Sequence, residues 1–406
     1  MKDRKAGIAP GIVLKQTARV ASHPWIWTKL AKLQGEKWLF DLLYPRAHNG
    51  KAGKIRQISF RITDRCNLRC STCGQWGENG FLHHRDLSQL KNEEVPAGRY
   101  LDVLSDLVSR GHRPLVYFWG GEPMLYNGLP DLIEASASLG LPASIATNGT
   151  RLADIAEHLV KAPLFLCQVS IDGHSAELHN RLRPSMAGAM HNFEDIEEGL
   201  EVLNAVRSKR NKSLPVIASL TVISKENLNH LVSIYETFKN RVDLFVFYLS
   251  WWIGPNEAKA HETDFYDRFG YLPTRHRGWI GGWKPENYQA LDRQIRALLA
   301  RSRPLDATPV TIIPHVTGPS NLERYYTDHS HRFGFDKCIS IYQAVEINSN
   351  GDISPCRDYH DYVVGNIKED NITDLWNSAA YTRFRKSITT KGLMPVCSRC
   401  CGLMGY

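Results

Sequence analysis

Hydrophobic and polar positions divide the chain into short β-rich runs separated by helical stretches. Residues 55–63, 115–119, 143–147, 165–170, 216–223 and 244–249 read as strands, rich in Ile, Val, Leu, Phe and Tyr. Strands that alternate with helices predict a parallel sheet in an α/β fold. A further helix is predicted over roughly residues 286–301. Near the start, Gly35 separates two short stretches of helical spacing, one with Ile26, Leu30 and Leu33, the other with Leu39, Leu42 and Leu43. No segment approaches the roughly 18–20 uncharged residues of a membrane span.

Directly after the first run come Cys66, Cys70 and Cys73. Three thiolates on one short loop suit three irons of a four-iron cluster and leave the fourth iron open to a substrate. A zinc knuckle would want a fourth Cys or His close by, and His83 and His84 fall ten residues on. Three buried structural thiols do not fit a loop interleaved with Arg65, Asn67 and Arg69.

The spacing resembles the signature of the radical S-adenosylmethionine (SAM) enzymes, and the resemblance covers about residues 55–250 and continues into the C-terminus. It implies an α/β fold, a partial (β/α)6 TIM-like barrel with its chemistry at the C-terminal ends of the strands. Gly120-Gly121-Glu122-Pro123 resembles the family's Gly-Gly-Glu motif, whose backbone and carboxylate hold the amino group of SAM. The chemistry is suitable, since glycines admit a close approach and a carboxylate pairs with an ammonium. By the same resemblance Asn148 ends the third strand, Ser170 and Arg183 are candidates for the ribose and carboxylate of SAM, and Val222 flanks the adenine. Arg183 also fits an ordinary loop charge, and Val222 an ordinary core position. Two residues depart from the family pattern: Thr72, where an aromatic is common, and Trp119, where a small polar residue is frequent.

A second metal signal lies near the C-terminus. Cys338, Gly351, Cys356 and the run Cys397-Ser398-Arg399-Cys400-Cys401 resemble the shortened auxiliary-cluster (Twitch) domain of a large radical SAM branch. The resemblance implies a second [4Fe–4S] cluster on Cys338, Cys356, Cys397 and Cys400. Cys401 is an alternative to Cys400, and zinc is the rival metal for four cysteines. Cys167 lies in an apolar strand and reads as a small buried hydrophobe.

Metal-directed cysteines without a signal peptide imply a reducing cytoplasm, because the apolar run 8–14 is short and broken by Pro10. The formal charge of +8 resides in the first 54 residues, which hold eleven Lys or Arg against three Asp or Glu; the remainder is balanced at thirty-nine each. Basic, Trp-containing amphipathic stretches suit an anionic membrane surface, and they equally suit packing on the barrel. Nucleic acid is disfavoured, since the basic residues are scattered and no binding module accompanies them.

Four regions are expected: a basic arm (1–54), the barrel (55–250), an aromatic-rich insertion (251–335) and the auxiliary domain (336–406). The insertion holds Trp251, Trp252, Phe265, Phe269, Trp279 and Trp283 among its aromatics, which suit either an apolar substrate pocket or a local core. By resemblance, an electron from a flavodoxin- or ferredoxin-type donor cleaves SAM to methionine and a 5′-deoxyadenosyl radical, which removes hydrogen from an unactivated carbon. The short arm lacks the winged-helix module of many peptide-modifying relatives, so the expectation is a hydrophobic, lipid-like substrate. A ribosomal-peptide maturase and a non-catalytic metal-binding scaffold are the alternatives. Asp172, Tyr248, His261 and His315 are noted near strand ends, and no catalytic acid or base is assigned.

Overall fold

A computed structural model describes residues 49–188, 191–304 and 306–404. Almost all of the basic arm, and with it the expected membrane contact, therefore lies outside the described residues.

The strand β1 (Gln57–Thr63) sets the pattern for the barrel. Ile58, Phe60 and Ile62 are fully buried on the outer face of the sheet, while Ser59, Arg61 and Thr63 alternate with them. Phe60 stacks on Phe118 of β2 (Leu115–Gly120) and meets Tyr100 of the helix Ala97–Ser109 edge-on. Each such side chain contributes roughly 1.5–3 kcal/mol of burial, which fixes the register of strand against helix. The same logic repeats in β3 (Ala143–Thr147), β4 (Leu166–Ser170), β5 (Val216–Ile223) and β6 (Leu244–Leu249). Cys167 is buried in this core, as a small hydrophobe would be.

These six strands pair in parallel in chain order. The sheet is open and carries a further strand on each side. β7 (Val310–Ile313) extends it parallel to β6, and β8 (Ala344–Ile347) pairs parallel with β1. β9 (Asp352–Ser354) and β10 (Gly365–Asn366) continue antiparallel from β8. The order is β10-β9-β8-β1-β2-β3-β4-β5-β6-β7.

The aromatic-rich insertion divides its side chains between two tasks. Phe265 and Phe269, on the helix Pro255–Phe269, pack with Tyr359, Tyr362 and Phe384 into a second core beside Cys397. Trp251 and Trp279 instead face cavities within the barrel. Among the described residues no helix is long and apolar enough to cross a membrane.

Candidate active site

The cysteine loop leaves β1 at an irregularity. Pairing with β2 slips between Arg61 and Thr63, which sets Thr63 opposite Gly120. Arg65 then anchors the loop: its Nε donates to Glu94 Oε1 at 2.7 Å and its Nη2 to the Leu125 carbonyl at 2.7 Å. Trp76 closes the far end, donating its indole N–H to the Asp64 carbonyl at 2.7 Å. Between these anchors Cys66, Cys70 and Cys73 line one cavity of roughly 220 Å³. The backbone N–H groups of Leu68 and Trp76 donate to the Cys66 and Cys73 sulfurs, both at 3.4 Å. Burial pushes the bare Cys70 thiol up to about 11 and raises Cys66 further. Three sulfurs lining one cavity, each able to bind once deprotonated, are a donor set that fits a cluster.

Gly120 and Gly121 form the opposite wall. Gly120 has φ +146°, and a Cβ there would sit 2.1 Å from the Thr63 carbonyl oxygen; one on Gly121 would sit 2.2 Å from that of Arg65. Only glycines let β2 exit this close beneath the cysteine loop. Glu122 lies behind that wall, fully buried, and Pro123 is buried beside it. The Glu122 carboxylate accepts from Thr147 Oγ1 and the Asn148 N–H, both at 2.7 Å, and from the Met124 N–H at 3.0 Å. It thereby ties the exit of β2 to that of β3.

Asn148, Ser170, Arg183 and Val222 all line the same cavity. Asn148 Nδ2 donates to Asn67 Oδ1 at 2.8 Å. Arg183 is held by Asp172: its Nε donates to Oδ2 at 2.7 Å, while Oδ1 accepts the Val222 N–H at 2.8 Å. Arg183 Nη1 lies 3.6 Å from the Cys70 sulfur. One buried carboxylate thus positions two of the sequence-predicted SAM residues.

A second cavity, roughly 350 Å³, opens from the first. Trp119, Leu220, Tyr248, Trp251 and Trp279 belong to both walls. Trp119, a departure from the family pattern, stands at the junction, stacked on Tyr117 and beneath the Arg61 guanidinium at 5.1 Å. Polar groups also line this cavity: Arg61, Gln75, Gln168, Arg357, Asp358 and His360. The sequence reading missed these. One signal was present, an arginine at 61 among the alternating polar positions of β1, where its neighbours are the uncharged Ser59 and Thr63.

The C-terminal cysteines approach this second cavity from the other side. Cys338, Cys356, Cys397 and Cys400 share the aromatic second core. Cys400 donates to Asp358 Oδ2 at 2.9 Å. Cys401 donates to the same Asp358 carboxylate, at 3.3 Å to Oδ2, and also lines the inner cavity, with its sulfur 3.1 Å from Arg357 Nη2. The adjacent cysteines share one carboxylate, but only Cys400 packs with Cys338, Cys356 and Cys397, and only Cys401 lines the inner cavity. Of the residues left unassigned, Tyr248 lines both cavities, Asp172 holds Arg183, His261 is buried against Phe265, and His315 is exposed.

Comparison with known proteins agrees with this geometry. Residues 60–238 match the radical SAM superfamily, and residues 338–401 match an iron–sulfur cluster-binding domain of the SPASM type. The AdoMet-dependent heme synthase of Methanosarcina barkeri is 26% identical over 351 residues, covering 84% of this chain and 88% of that protein. The sporulation killing factor maturation protein SkfB of Bacillus subtilis is 23% identical over 355 residues, covering 85% and 71%. Among solved structures, native anSMEcpe with bound AdoMet superposes with a TM-score of 0.57 at 17% identity, over 86% of this chain and 88% of that one. Streptococcus suis SuiB bound to S-adenosylmethionine gives 0.56 at 17% identity, over 88% and 73%. Domains of the first kind bind SAM and a [4Fe–4S] cluster, those of the second bind additional iron–sulfur clusters, and the chain belongs to the radical SAM superfamily, as an enzyme with a C-terminal auxiliary-cluster domain.

Proposed function

We propose that this enzyme removes a hydrogen atom from an unactivated C–H bond of a substrate held in the inner cavity. The observation that supports this is the shared wall of Trp119, Leu220, Tyr248, Trp251 and Trp279, which joins the cysteine-lined cavity to the inner one. Cys66, Cys70 and Cys73 are assigned to the SAM-binding cluster. Gly120, Gly121, Asn148, Ser170, Arg183 and Val222 are assigned to SAM itself, with Glu122 and Pro123 supporting them from behind. Cys338, Cys356, Cys397 and Cys400 are assigned to the auxiliary cluster. When bound, the reduced cluster supplies the electron that splits SAM into methionine and a hydrogen-abstracting 5′-deoxyadenosyl radical, the chemistry being the cofactors' own.

The chain's own residues orient and exclude. The Asp172 carboxylate holds Arg183, which would pair with the carboxylate of a bound SAM, and the aromatic wall would keep water from the reacting carbon. Radical SAM enzymes draw electrons from reductants, and a flavodoxin- or ferredoxin-type donor fills that role here. The inner cavity, lined by tryptophans together with charged and amide groups, favours a substrate with both apolar and polar parts in place of a plain lipid chain. A second reading is maturation of a ribosomal peptide, whose inserted side chain would fill the same cavity; similarity to SkfB over most of this chain favours it.

The test compares anaerobically purified parent with a variant carrying Ala at Cys66, Cys70 and Cys73, each incubated with SAM and dithionite. About eight irons in the parent, about four in the variant, and 5′-deoxyadenosine from the parent alone are expected. Zinc in place of iron, or no deoxyadenosine from the reduced parent, overturns the reading.

A further inference from the structure

A third cavity, roughly 190 Å³ and strongly polar, adjoins the inner one, and Arg61 and His360 belong to both walls. Two guanidiniums approach the Phe81 ring, that of Arg61 at 5.4 Å from its centroid and that of Arg275 at 4.8 Å. His360 packs against the same ring edge-on and lies 3.0 Å from Arg61 Nη2. Burial and the two arginines hold His360 well below its ordinary range, so it stays neutral and accepts from Arg61.

The acids of this cavity already have partners. Asp64 takes Ser349 at 2.8 Å and Arg61 Nη1 at 3.4 Å. Asp361 accepts from the Thr274 backbone and hydroxyl and from the Arg275 backbone N–H. Glu93 pairs with Arg85, and Asp352 with Asn350 and Asn366. Among the described residues the Arg275 guanidinium has no carboxylate partner, and the buried Nε of Arg61 has no partner at all. Burial and Arg61 disfavour the charge on Arg275 while Asp64 and Asp361 favour it, and a bound anion would add to that compensation.

We infer that Arg61 and Arg275, which both line the third cavity, form a subsite for an oxyanion of the substrate, a carboxylate or a phosphate. The inference rests on the proposed placement of the substrate in the inner cavity. Guanidiniums bind such groups through paired, charge-assisted hydrogen bonds. An anion held here lies across the Arg61–His360 wall from the inner cavity, so the substrate would be anchored by its charged end while its apolar part meets the tryptophans.

The test titrates propionate and inorganic phosphate into the full chain carrying its clusters, by calorimetry at low ionic strength, for the parent, R61Q, R275Q and R275K. Saturable binding of either probe to the parent is expected. It should weaken about tenfold or more in R61Q and R275Q, the loss of a charge-assisted hydrogen bond, with part of the affinity retained in R275K. Propionate alone identifies a carboxylate site and phosphate alone a phosphate site. No saturable binding to the parent, or binding undiminished in R275Q, overturns the subsite. Arg275 is only half-buried, so its replacement keeps the test valid if R61Q fails to fold. Deoxyadenosine formation by the parent is followed in parallel and reports separately on the radical reading.

Discussion

Trp119 of β2 donates its indole N–H to Glu346 Oε1 of β8 at 2.7 Å. The aromatic residue at the junction of two cavities is therefore held by the strand that brings in the C-terminal region. Burial raises the Glu346 carboxyl to about 8, against the opposing pull of Arg357 and Arg61.

A folded-state value near 8, against about 4.3 in an unfolded chain, means that the folded protein binds the extra proton between those limits. The stabilising contribution is complete below about pH 4.3 and is lost as pH rises to about 8. Relative to E346Q, the parent should lose up to about 1.4 kcal/mol of unfolding free energy per pH unit in that window. Denaturant unfolding of both proteins at pH 5.5, 6.5 and 7.5 checks this; a difference that stays constant with pH would refute it.

Replacing Gly120 by alanine should damage the cysteine loop. The new Cβ meets the Thr63 carbonyl at 2.1 Å with φ at +146°, so backbone must move. Destabilisation of about 2 kcal/mol or more is expected, together with loss of the N-terminal share of iron. Normal iron content in G120A would show that the loop tolerates the shift.

D172N should weaken SAM binding by about tenfold. Asp172 accepts from both Arg183 Nε and the Val222 N–H, and an amide turns a donor toward one of them. Charge-assisted hydrogen bonds are worth roughly 1.5–3 kcal/mol, which sets the scale. Equilibrium dialysis with SAM on cluster-loaded protein measures it, and unchanged affinity would leave Asp172 a merely structural residue.

On the proposed ligand set, C400A loses auxiliary-cluster iron and C401A retains it. Cys400 shares the core of Cys338, Cys356 and Cys397, whereas Cys401 lines the inner cavity beside Arg357. Iron analysis of the two variants decides, and the reverse pattern would exchange the two cysteines' roles.

Much of this was legible from local sequence. The six central strands are apolar runs bounded by helices, and three cysteines on one loop announce their chemistry without tertiary context. β7 and β8 were not legible, because each is four residues long and draws its strand character from a neighbour's edge. The role of Asp172 needed the distance to Arg183, eleven residues on, and to the Val222 backbone, fifty residues on. Arg61 and Arg275 are brought to one ring only by the fold. Trp251 and Phe265 lie close together in an aromatic-rich stretch, and nothing in its composition separates cavity wall from core.

β1, which launches the cysteine loop, is flanked on one side by β2 and on the other by β8. Without β8 its outer edge would offer a row of unpaired peptide groups to any passing strand. The C-terminal region thus acts as a selvedge, the woven border that keeps a fabric from unravelling. Residues 344–347 thus seal the strand from which the cysteine loop departs, nearly three hundred residues earlier in the chain.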